Sequence, residues 1–390
     1  MLRVLTLATL FPNEAQPAFG IFVERQTLGL AALPGVEVEV VSPRRLPPWP
    51  LTLHPAVARR AALPDREHYK GLNVHRPRFI GWPGLGHTDM PKVMARTLLP
   101  QLRRLRERFP FDVIDAEFFW PDGPAAMRLA AALGVPFSVK ARGADIEHWG
   151  EQPAIARQIV AAGHAAGGLL AVSAALKARM AALGIPDDKI RVHHTGVDRA
   201  QFQPIDRAAA KARLGVDGPL LVSVGHLIPR KGQRLTLAAL AEIPEATLIL
   251  VGEGGDRAAL ERLAQEHGLV GRVRFLGGQP HAALPALLGA ADVMVLPSAA
   301  EGLANVWVEA LACGTPIVIS DIGGAPEVVD RPAAGRIVVR EPRAIAAAVR
   351  EILADPPDPD RVAEAAEKFS WERNSAELFA HLSEVAAKAA

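Results

Sequence analysis

The sequence predicts an α/β fold built from two Rossmann-like domains, each with a doubly wound parallel sheet. Its 390 residues exceed what one ordinary core holds and suit two domains. Short, continuous apolar runs, which are typical of strands buried on both faces, alternate with helical segments along the second half. A similar but less regular alternation runs through the first half. Such repeated βαβ units favour two parallel sheets.

The apolar runs locate the strands of both sheets. The first half has predicted strands at residues 4–7, 36–41, 113–115, 136–140 and 169–172, and the second half at residues 220–224, 247–251, 273–276, 293–296, 317–319 and 337–339. The run at residues 159–176 predicts helix, turn and strand in place of a membrane span, because glycines interrupt it. The proline-rich segment 43–70 shows no clean period and predicts a long irregular excursion, of the kind that often faces substrate.

A polar, proline-containing stretch separates the last apolar run of the first half from the first run of the second. We therefore predict a hinge near Pro204, with residues 1–203 as the N-terminal domain and 204–368 as the C-terminal domain. Residues 369–390 form a terminal segment. This division assigns one sheet to each domain.

The composition excludes several classes of function. With 44 basic and 42 acidic residues the formal net charge is +2, so the chain has no overall basic field for nucleic acid. The single cysteine, Cys313, excludes an internal disulfide and a multi-cysteine zinc cluster. We therefore expect a cytoplasmic protein with local anion sites and no nucleic-acid partner.

The most informative stretch for function begins at Glu301, which follows a predicted strand. Glu301 precedes Gly302 at the carboxyl edge of a parallel sheet, where open α/β sheets bind ligands. We expect Asn305 to cap the next helix, leaving early backbone N–H groups to face an anion, and Glu309 to tilt back toward the helix N-terminus. Either glutamate alone would more simply complement a helix dipole. Their spacing relative to the glycines and prolines that follow favours a pocket lined by both.

Two cations lie in another loop, after the first strand of the second domain. The loop starts at Gly225 and carries Arg230 and Lys231 before Gly232. An arginine fork and a lysine point charge both bind phosphate, and together they offset charge on a departing nucleoside diphosphate. An isolated Arg-Lys pair is more commonly a solvated surface pair. The loop does not fit a P-loop, because Arg230 and Gly232 occupy its second-glycine and hydroxyl positions. A weak dinucleotide fingerprint later in the chain lacks its third glycine and its acid, which disfavours an NAD enzyme.

The first domain offers weaker signals in two loops. Arg142 and Asp145 follow the strand predicted at 136–140 and would supply a cation and an acid for a substrate. Gly20 lies in the first strand-to-helix connection, where a glycine lets backbone N–H groups approach phosphate. An ordinary tight loop is the simpler interpretation of Gly20 alone.

Taken together, these residues resemble glycosyltransferase family 4, the large retaining family with the GT-B fold of two facing Rossmann-like domains. Four matches in the family's order carry the resemblance: Lys231-Gly232 for K-G, Glu301 and Glu309 for E-x7-E, Gly314-Thr315-Pro316 for G-T-P, and residues 323–327 for G-G-x-P-E. The resemblance spans nearly the whole chain and is closest to members that make cell-surface polysaccharides or lipid-linked glycans. It implies a retaining transfer of sugar from a nucleotide-diphosphate donor to a glycan, lipid-linked or small-molecule acceptor.

The resemblance also implies roles for single residues in a cleft between the domains. Glu309 would hold the donor ribose and the Arg230-Lys231 pair the diphosphate. The transferred sugar would lie against Glu301 and the start of the following helix, at Gly302, Leu303, Ala304 and Asn305. Gly20 would approach the diphosphate from the opposite domain, and segment 369–390 would cross back onto the first domain. Arg142 stands where the family usually has a histidine, and because a guanidinium stays protonated, the general base is open.

No cofactor, metal or covalent glutamate is expected, since the resemblance implies that positive side chains stabilise the leaving diphosphate. An amphipathic basic segment at residues 92–108 would suit the inner face of an anionic cell membrane, but a core-packed helix with a solvated cationic face is the favoured interpretation. Two rival functions stay open. A nucleotide-sugar epimerase of the same fold would turn over sugar without an acceptor, and a degenerate glycan-binding scaffold would not turn it over.

Overall fold

The computed structural model describes residues 1–17, 19–82 and 86–388. It divides into two compact units. Unit 1 comprises Met1–Thr195 and Trp371–Ala390, and unit 2 comprises Gly196–Ser370. The second unit thus begins eight residues ahead of the hinge predicted at Pro204.

Unit 1 contains an eight-stranded sheet and a short two-stranded one. Its strands are β1 (Leu2–Leu7), β2 (Val36–Val41), β3 (Arg44–Leu46), β4 (Arg66–Tyr69), β5 (Leu72–His75), β6 (Arg78–Ile80), β7 (Val113–Ala116), β8 (Phe137–Ala141), β9 (Gly168–Ala171) and β10 (Ile190–Val192). The large sheet has the order β10-β9-β8-β7-β1-β2-β5-β4 and is parallel except for β4, which pairs antiparallel with β5. All five strands predicted for the first half are confirmed within one or two residues at each end.

Helices cover the sheet of unit 1, as the βαβ pattern predicts. They are α1 (Ile21–Ala31), α2 (Pro55–Ala62), α3 (Met90–Arg108), α4 (Asp122–Leu133), α5 (Ala144–Glu147), α6 (Pro153–Ala165) and α7 (Ala174–Ala182). Short 3-10 turns occur at Leu51–Leu53, Trp149–Glu151 and Asp187–Lys189. The run at 159–176 is the end of α6, a turn, β9 and the start of α7, which confirms its interpretation.

The prediction of an irregular segment at residues 43–70 is wrong. The segment contains β3, a 3-10 turn, α2 and β4, and β3 pairs in parallel with β6 so that Leu46 lies opposite Ile80. The partners in this pair are 34 residues apart, so the local period that identifies longer strands gives no sign of it. Prolines before and after α2 mask the helical pattern further.

Unit 2 is built around a six-stranded, all-parallel sheet. Its strands are β11 (Leu220–Val224), β12 (Thr247–Val251), β13 (Val273–Gly277), β14 (Val293–Leu296), β15 (Ile317–Ser320) and β16 (Gly335–Val338), in the order β13-β12-β11-β14-β15-β16. Its helices are α8 (Arg207–Arg213), α9 (Gln233–Ala241), α10 (Arg257–Glu266), α11 (Leu284–Ala290), α12 (Asn305–Ala312), α13 (Ala325–Val328), α14 (Pro342–Ala354) and α15 (Pro359–Glu364). The six predicted strands are confirmed, and both units are Rossmann-like.

The last helix, α16 (Trp371–Ala387), belongs to unit 1 although it follows unit 2 in the chain. Its buried Leu378, Leu382 and Val385 pack in one core cluster with Val4 and Leu30. Burial of three large aliphatic side chains contributes roughly 5–9 kcal/mol relative to their exposure. The hydrophobic effect therefore holds this segment on the first domain.

Helix α3 follows the favoured interpretation of the basic segment. Its apolar residues are turned into unit 1, where Met94, Leu98, Leu102 and Leu105 are buried and the helix packs beside α4. Its cationic face is left to solvent. Within the described residues, no helix combines the length and apolar character that crossing a membrane requires.

Candidate functional site

The centre of the candidate site in unit 2 is an ion pair between Lys231 and Glu301. Lys231 ends a 3-10 turn, Pro229–Lys231, in the loop after β11, and Glu301 lies in the loop after β14. Because β11 and β14 are hydrogen-bonded neighbours in the sheet, their carboxyl ends lie side by side. Lys231 Nζ is 2.5 Å from Glu301 Oε1, and Arg230 Nη1 is 3.5 Å from Oε2. The structure thus brings together three of the predicted residues.

Backbone contacts fix the two loops relative to each other. The Ala299 N–H donates to the Arg230 carbonyl at 2.7 Å, and the Arg230 guanidinium donates to the Ala300 carbonyl. Gly225 ties the same loop to β12, since its N–H donates to the Val251 carbonyl at 2.9 Å. Glu301 is 9% exposed and the Lys231 side chain 12%, whereas Arg230 is 42% exposed. The pair is therefore largely desolvated, and Arg230 forms its accessible edge.

The prediction that Asn305 caps α12 is wrong. Asn305 is the first helical residue, and the capping position belongs to Ala304, which has an extended backbone and no side chain that can accept a hydrogen bond. Within the described residues, the backbone N–H groups from Gly302 to Val306 donate to no protein acceptor. Leu303 and Ala304 are nonetheless buried. Unbonded N–H groups at a helix N-terminus provide a site for an anion or for hydroxyl oxygens.

Gly323, the first residue of the G-G-x-P-E match at residues 323–327, packs against the backbone at Glu301. Its φ is +49°, and a Cβ built on it would lie 1.8 Å from the carbonyl oxygen of Glu301. The next residue, Gly324, donates its N–H to the Gly302 carbonyl at 2.8 Å. The loop after β15 therefore supports the backbone at Glu301 and Gly302, and only glycine allows this approach.

Glu309 has a different partner from Glu301. It is 4% exposed on α12, and its Oε1 is 2.7 Å from Nε2 of His281. His281 opens a 3-10 turn, His281–Ala283, before α11, and its ring centroid is 5.2 Å from that of Phe202. His281 is not among the site residues that the sequence predicts. Its signal was a polar residue shortly after the carboxyl end of β13, the same position in a parallel sheet that identified Glu301.

In unit 1, Asp145 is completely buried at the start of α5. Its carboxylate accepts N–H groups from Phe119 at 2.8 Å, Gly143 at 2.8 Å and Arg142 at 3.0 Å. Burial raises the pKa of Asp145, and these backbone hydrogen bonds oppose the rise. The carboxylate therefore holds the loop after β8 in shape and has no oxygen exposed to solvent.

Arg142 is the half-buried end of a larger buried polar cluster. Its guanidinium pairs with the Glu117 carboxylate and donates to the Glu117 carbonyl at 2.8 Å. Behind it, Lys140 Nζ donates to Gln26 Oε1 at 2.5 Å and lies 2.9 Å from Nδ1 of His193. Burial, reinforced by the positive charge of Arg142, lowers the Lys140 pKa to about 7. Except for Arg142, no member of this cluster is among the site residues that the sequence predicts.

Gly20 lies where the chain enters α1. Its φ is +78°, and a Cβ there would lie 2.5 Å from the carbonyl carbon and oxygen of Leu10. The close approach of two backbone segments, one after β1 and one before α1, requires a glycine. A cavity of about 430 Å³ lies beside this crossing, and Phe19 forms part of its wall.

The cavity lies at the carboxyl edge of the unit 1 sheet. Thr9 follows β1, Ser42 follows β2 and Arg76 follows β5, and all three line it. The rest of the wall is mainly apolar, with Phe11, Leu46, Leu63, Phe79 and Met90. This edge is where open parallel sheets bind ligands. Among the described residues, no group of three His, Cys, Asp or Glu side chains is arranged to hold a metal ion.

Two family models match the chain. The model described as "Glycosyltransferase Family 4" matches residues 20–201, and the one described as "Glycosyl transferases group 1" matches residues 205–369. The D-inositol 3-phosphate glycosyltransferase of Mycobacterium leprae is 40% identical over 157 residues, which cover 38% of this chain and 37% of that protein. The putative teichuronic acid biosynthesis glycosyltransferase TuaC of Bacillus subtilis is 28% identical over 334 residues, or 83% of this chain and 82% of that protein.

Solved structures of the same fold align over nearly the whole chain. The sucrose-phosphate synthase of Thermosynechococcus elongatus has a TM-score of 0.81 at 22% identity and is covered completely, as is this chain. Anabaena Alr3699/HepE, in complex with UDP, has a TM-score of 0.73 at 21% identity over 98% of this chain and 100% of that one. At these identities the likeness establishes the fold.

Proposed function

This chain belongs to glycosyltransferase family 4 and has the GT-B fold, and we propose that it transfers a sugar from a nucleoside-diphosphate donor with retention of the anomeric configuration. One observation carries the proposal. At the carboxyl edge of the unit 2 sheet, Lys231 and Arg230 surround the Glu301 carboxylate next to the unbonded N–H groups that precede α12. Cations, a carboxylate and free N–H groups are what a sugar diphosphate needs.

Donor binding would replace the contacts that these side chains now make with one another. The diphosphate takes Lys231 and Arg230, which stabilise the charge that develops as the bond to the sugar breaks. The Glu301 carboxylate is then free to accept hydroxyl groups of the sugar, and the N–H groups from Gly302 to Asn305 bind remaining oxygens. Glu309, oriented by His281, accepts the ribose hydroxyls. These side chains supply the electrostatic stabilisation without a metal ion.

We propose no protein nucleophile. In the donor complex described above, the Glu301 carboxylate accepts hydrogen bonds from hydroxyl groups of the sugar, and a carboxylate oxygen that accepts such bonds is a weaker nucleophile toward the anomeric carbon. The bond from the anomeric carbon to the phosphate breaks as the acceptor hydroxyl bonds to that carbon on the same face of the sugar, and the departing phosphate accepts the proton of this hydroxyl. The acceptor binds at the unit 1 cavity beside Gly20, and Asp145 and Arg142 act as positioning residues for the loop after β8.

UDP-glucose is the first donor to test, because HepE has been solved with UDP, with UDP and glucose, and with UDP-glucose. Thermal unfolding of the wild type and Glu309→Ala would be compared with UDP-, GDP-, ADP- and TDP-glucose. A ligand at 100 times its Kd stabilises a protein by about 2.7 kcal/mol. We expect one nucleotide class to raise the Tm of the wild type and not of the variant.

The stereochemistry is tested on the product. With an α-linked donor, NMR of the product should show an α-linkage, and a β-linkage would refute retention. Turnover of the donor sugar to its epimer without acceptor would assign the chain to the epimerases. If folded wild type shows no shift with any donor, the proposed transfer is wrong and a binding scaffold is favoured.

A further inference from the structure

Unit 1 exposes a group of large apolar side chains, which we call the apolar rim. Five of its members lie within residues 49–82: Trp49 is 78% exposed, Leu53 69%, Ile80 62%, Trp82 55% and Leu51 45%. Phe19, at 43%, is the sixth. Among the described residues of unit 1, Met1 is the only exposed large apolar side chain outside this group. Two of the three segments are linked through packed elements, because the 3-10 turn Leu51–Leu53 contacts α2, α2 contacts β3, and β3 pairs with the strand that carries Ile80. Exposed apolar side chains gathered in one region are typical of an interaction surface.

The rim is continuous with the wall of the unit 1 cavity. Phe19 belongs to both. Ile80 lies opposite Leu46 in the β3–β6 pair, and Leu46 lines the cavity. The Arg45 guanidinium, also in the wall, donates to the Trp82 carbonyl at 2.5 Å. The rim therefore surrounds structure that is already shaped to hold a ligand.

The surroundings of the rim are strongly basic, in contrast to the chain as a whole. Residues 43–82 contain eight Arg or Lys residues and two acidic ones, whereas the whole chain has a net charge of only +2. Arg44 and Arg76 are buried and bonded to Asp65 and Glu67. Within the described part of the chain, the side chains of Arg59 and Arg60 in the last turn of α2 have no protein partner.

We propose that the apolar rim, together with Arg59 and Arg60, docks unit 1 onto an anionic lipid bilayer. Tryptophan side chains partition to the level of lipid head groups, and nearby arginines are attracted to anionic lipids. The combination of unpaired cations and exposed indoles matches that surface better than a protein partner, whose interface would need its own acidic and apolar pattern. Helix α3, the basic helix of the sequence analysis, is unsuited to this role because its apolar face is buried in unit 1.

The test measures binding of the full chain to vesicles of phosphatidylcholine alone and of phosphatidylcholine mixed with phosphatidylglycerol. Three double variants are compared with the wild type: Trp49→Ser with Trp82→Ser, Arg59→Gln with Arg60→Gln, and, as the matched control on α3, Arg103→Gln with Arg104→Gln. All six positions are exposed or half-buried, so the variants keep the core intact. Each arginine near an anionic surface raises the affinity for it about fivefold. Removal of both α2 arginines should therefore weaken binding to the anionic vesicles roughly 30-fold.

We expect the wild type to bind only the anionic vesicles, and more weakly at high salt. The tryptophan variant and the α2 variant should both bind these vesicles more weakly than the wild type, whereas the α3 control should bind like the wild type. If the α2 and α3 variants lose affinity for the anionic vesicles equally, the attraction is non-specific and the proposal is overturned. Unchanged binding by the tryptophan and α2 variants, or no binding by the wild type, would also overturn it. A thermal shift with the donor is measured on every variant in solution. If the donor gives the wild type no thermal shift, the proposed function is refuted. If the donor gives a normal shift but the wild type does not bind the vesicles, only the docking is refuted.

Discussion

The two units place charged residues at the same edge of the same kind of sheet, but use them differently. In unit 2, Lys231, Arg230 and Glu301 are bonded mainly to one another, and Arg230 remains 42% exposed. In unit 1, Asp145 is fully buried and bonded to three backbone N–H groups, and Lys140 is buried behind Arg142. The Lys231–Glu301 bond joins two side chains and can be exchanged for a ligand, whereas the Asp145 carboxylate is bound to three backbone N–H groups and cannot leave without breaking the loop. We propose that this difference separates residues that bind substrate from residues that hold the shape of a loop.

The largest expected effect comes from removing the cation of the unit 2 pair. In Lys231→Met the departing diphosphate loses a preorganised charge, and we expect kcat for sugar transfer to fall about 10²–10³-fold, the range for loss of one such group. Arg234→Met removes an exposed cation three residues away and is the control. Release of the nucleoside diphosphate is the assay. A loss of less than threefold in Lys231→Met would remove the pair from the mechanism.

The second prediction concerns the backbone beneath Glu301. In Gly323→Ala the new Cβ would overlap the Glu301 carbonyl at a positive φ, whereas in Gly268→Ala the φ is +66° and no atom lies within 4 Å. Both variants carry backbone strain of about 1–3 kcal/mol. Only Gly323→Ala should also lower donor affinity, because its loop must move. Urea unfolding and donor titration measure the two effects, and equal behaviour of the variants would contradict the close approach.

The features that the sequence predicts correctly are those that leave a local signal in it. The continuous apolar strands of unit 2 and their following loops were found within one or two residues, because burial on both faces leaves a local signal that needs no knowledge of the partner. Lys231 and Glu301 were found because they follow such strands. The register that pairs them depends on the order β11-β14 in the sheet, which no local pattern encodes.

The missed features depend on tertiary contacts. Lys140 interrupts an apolar strand and looks solvent-facing, yet it is fully buried because Gln26 and His193, both distant in sequence, bond its ammonium. Asn305 has the right chemistry for a helix cap, but α12 begins at Asn305 itself, so the extended residue before it takes that position. A short polar side chain predicts a nearby helix start better than its exact residue.

The third prediction concerns Asp122, another buried carboxyl group of unit 1, and tests its protonation by pH. Asp122 is fully buried at the start of α4, where its Oδ2 accepts the Thr9 N–H at 2.9 Å, and burial raises its pKa from 3.8 to about 7. Between pH 3.8 and about pH 7, Asp122 therefore keeps its proton in the folded state but has lost it in the unfolded state. The stability that this proton linkage contributes is present below pH 3.8 and is lost as the pH rises to about 7.

Asp122→Asn cannot titrate, so it should remove this decline. The slope of the unfolding free energy against pH should become less negative by up to about 1.4 kcal/mol per pH unit, the limit for one proton. Urea unfolding across this pH range measures it, with Asp188→Asn as the control because Asp188 is exposed. An unchanged slope would mean that Asp122 is ionised in the folded protein.

The smallest expected effect concerns the contact between His281 and Glu309 in unit 2. If His281 only orients the glutamate that holds the ribose, His281→Asn should raise KM for the donor about two- to tenfold, equivalent to one hydrogen bond of roughly 0.5–1.5 kcal/mol, and leave kcat unchanged. His267→Asn, at an exposed histidine after α10, should leave both constants unchanged. A fall in kcat with constant KM would instead assign His281 to the reacting end of the donor, and Glu309 with it, because the two side chains are in direct contact at 2.7 Å.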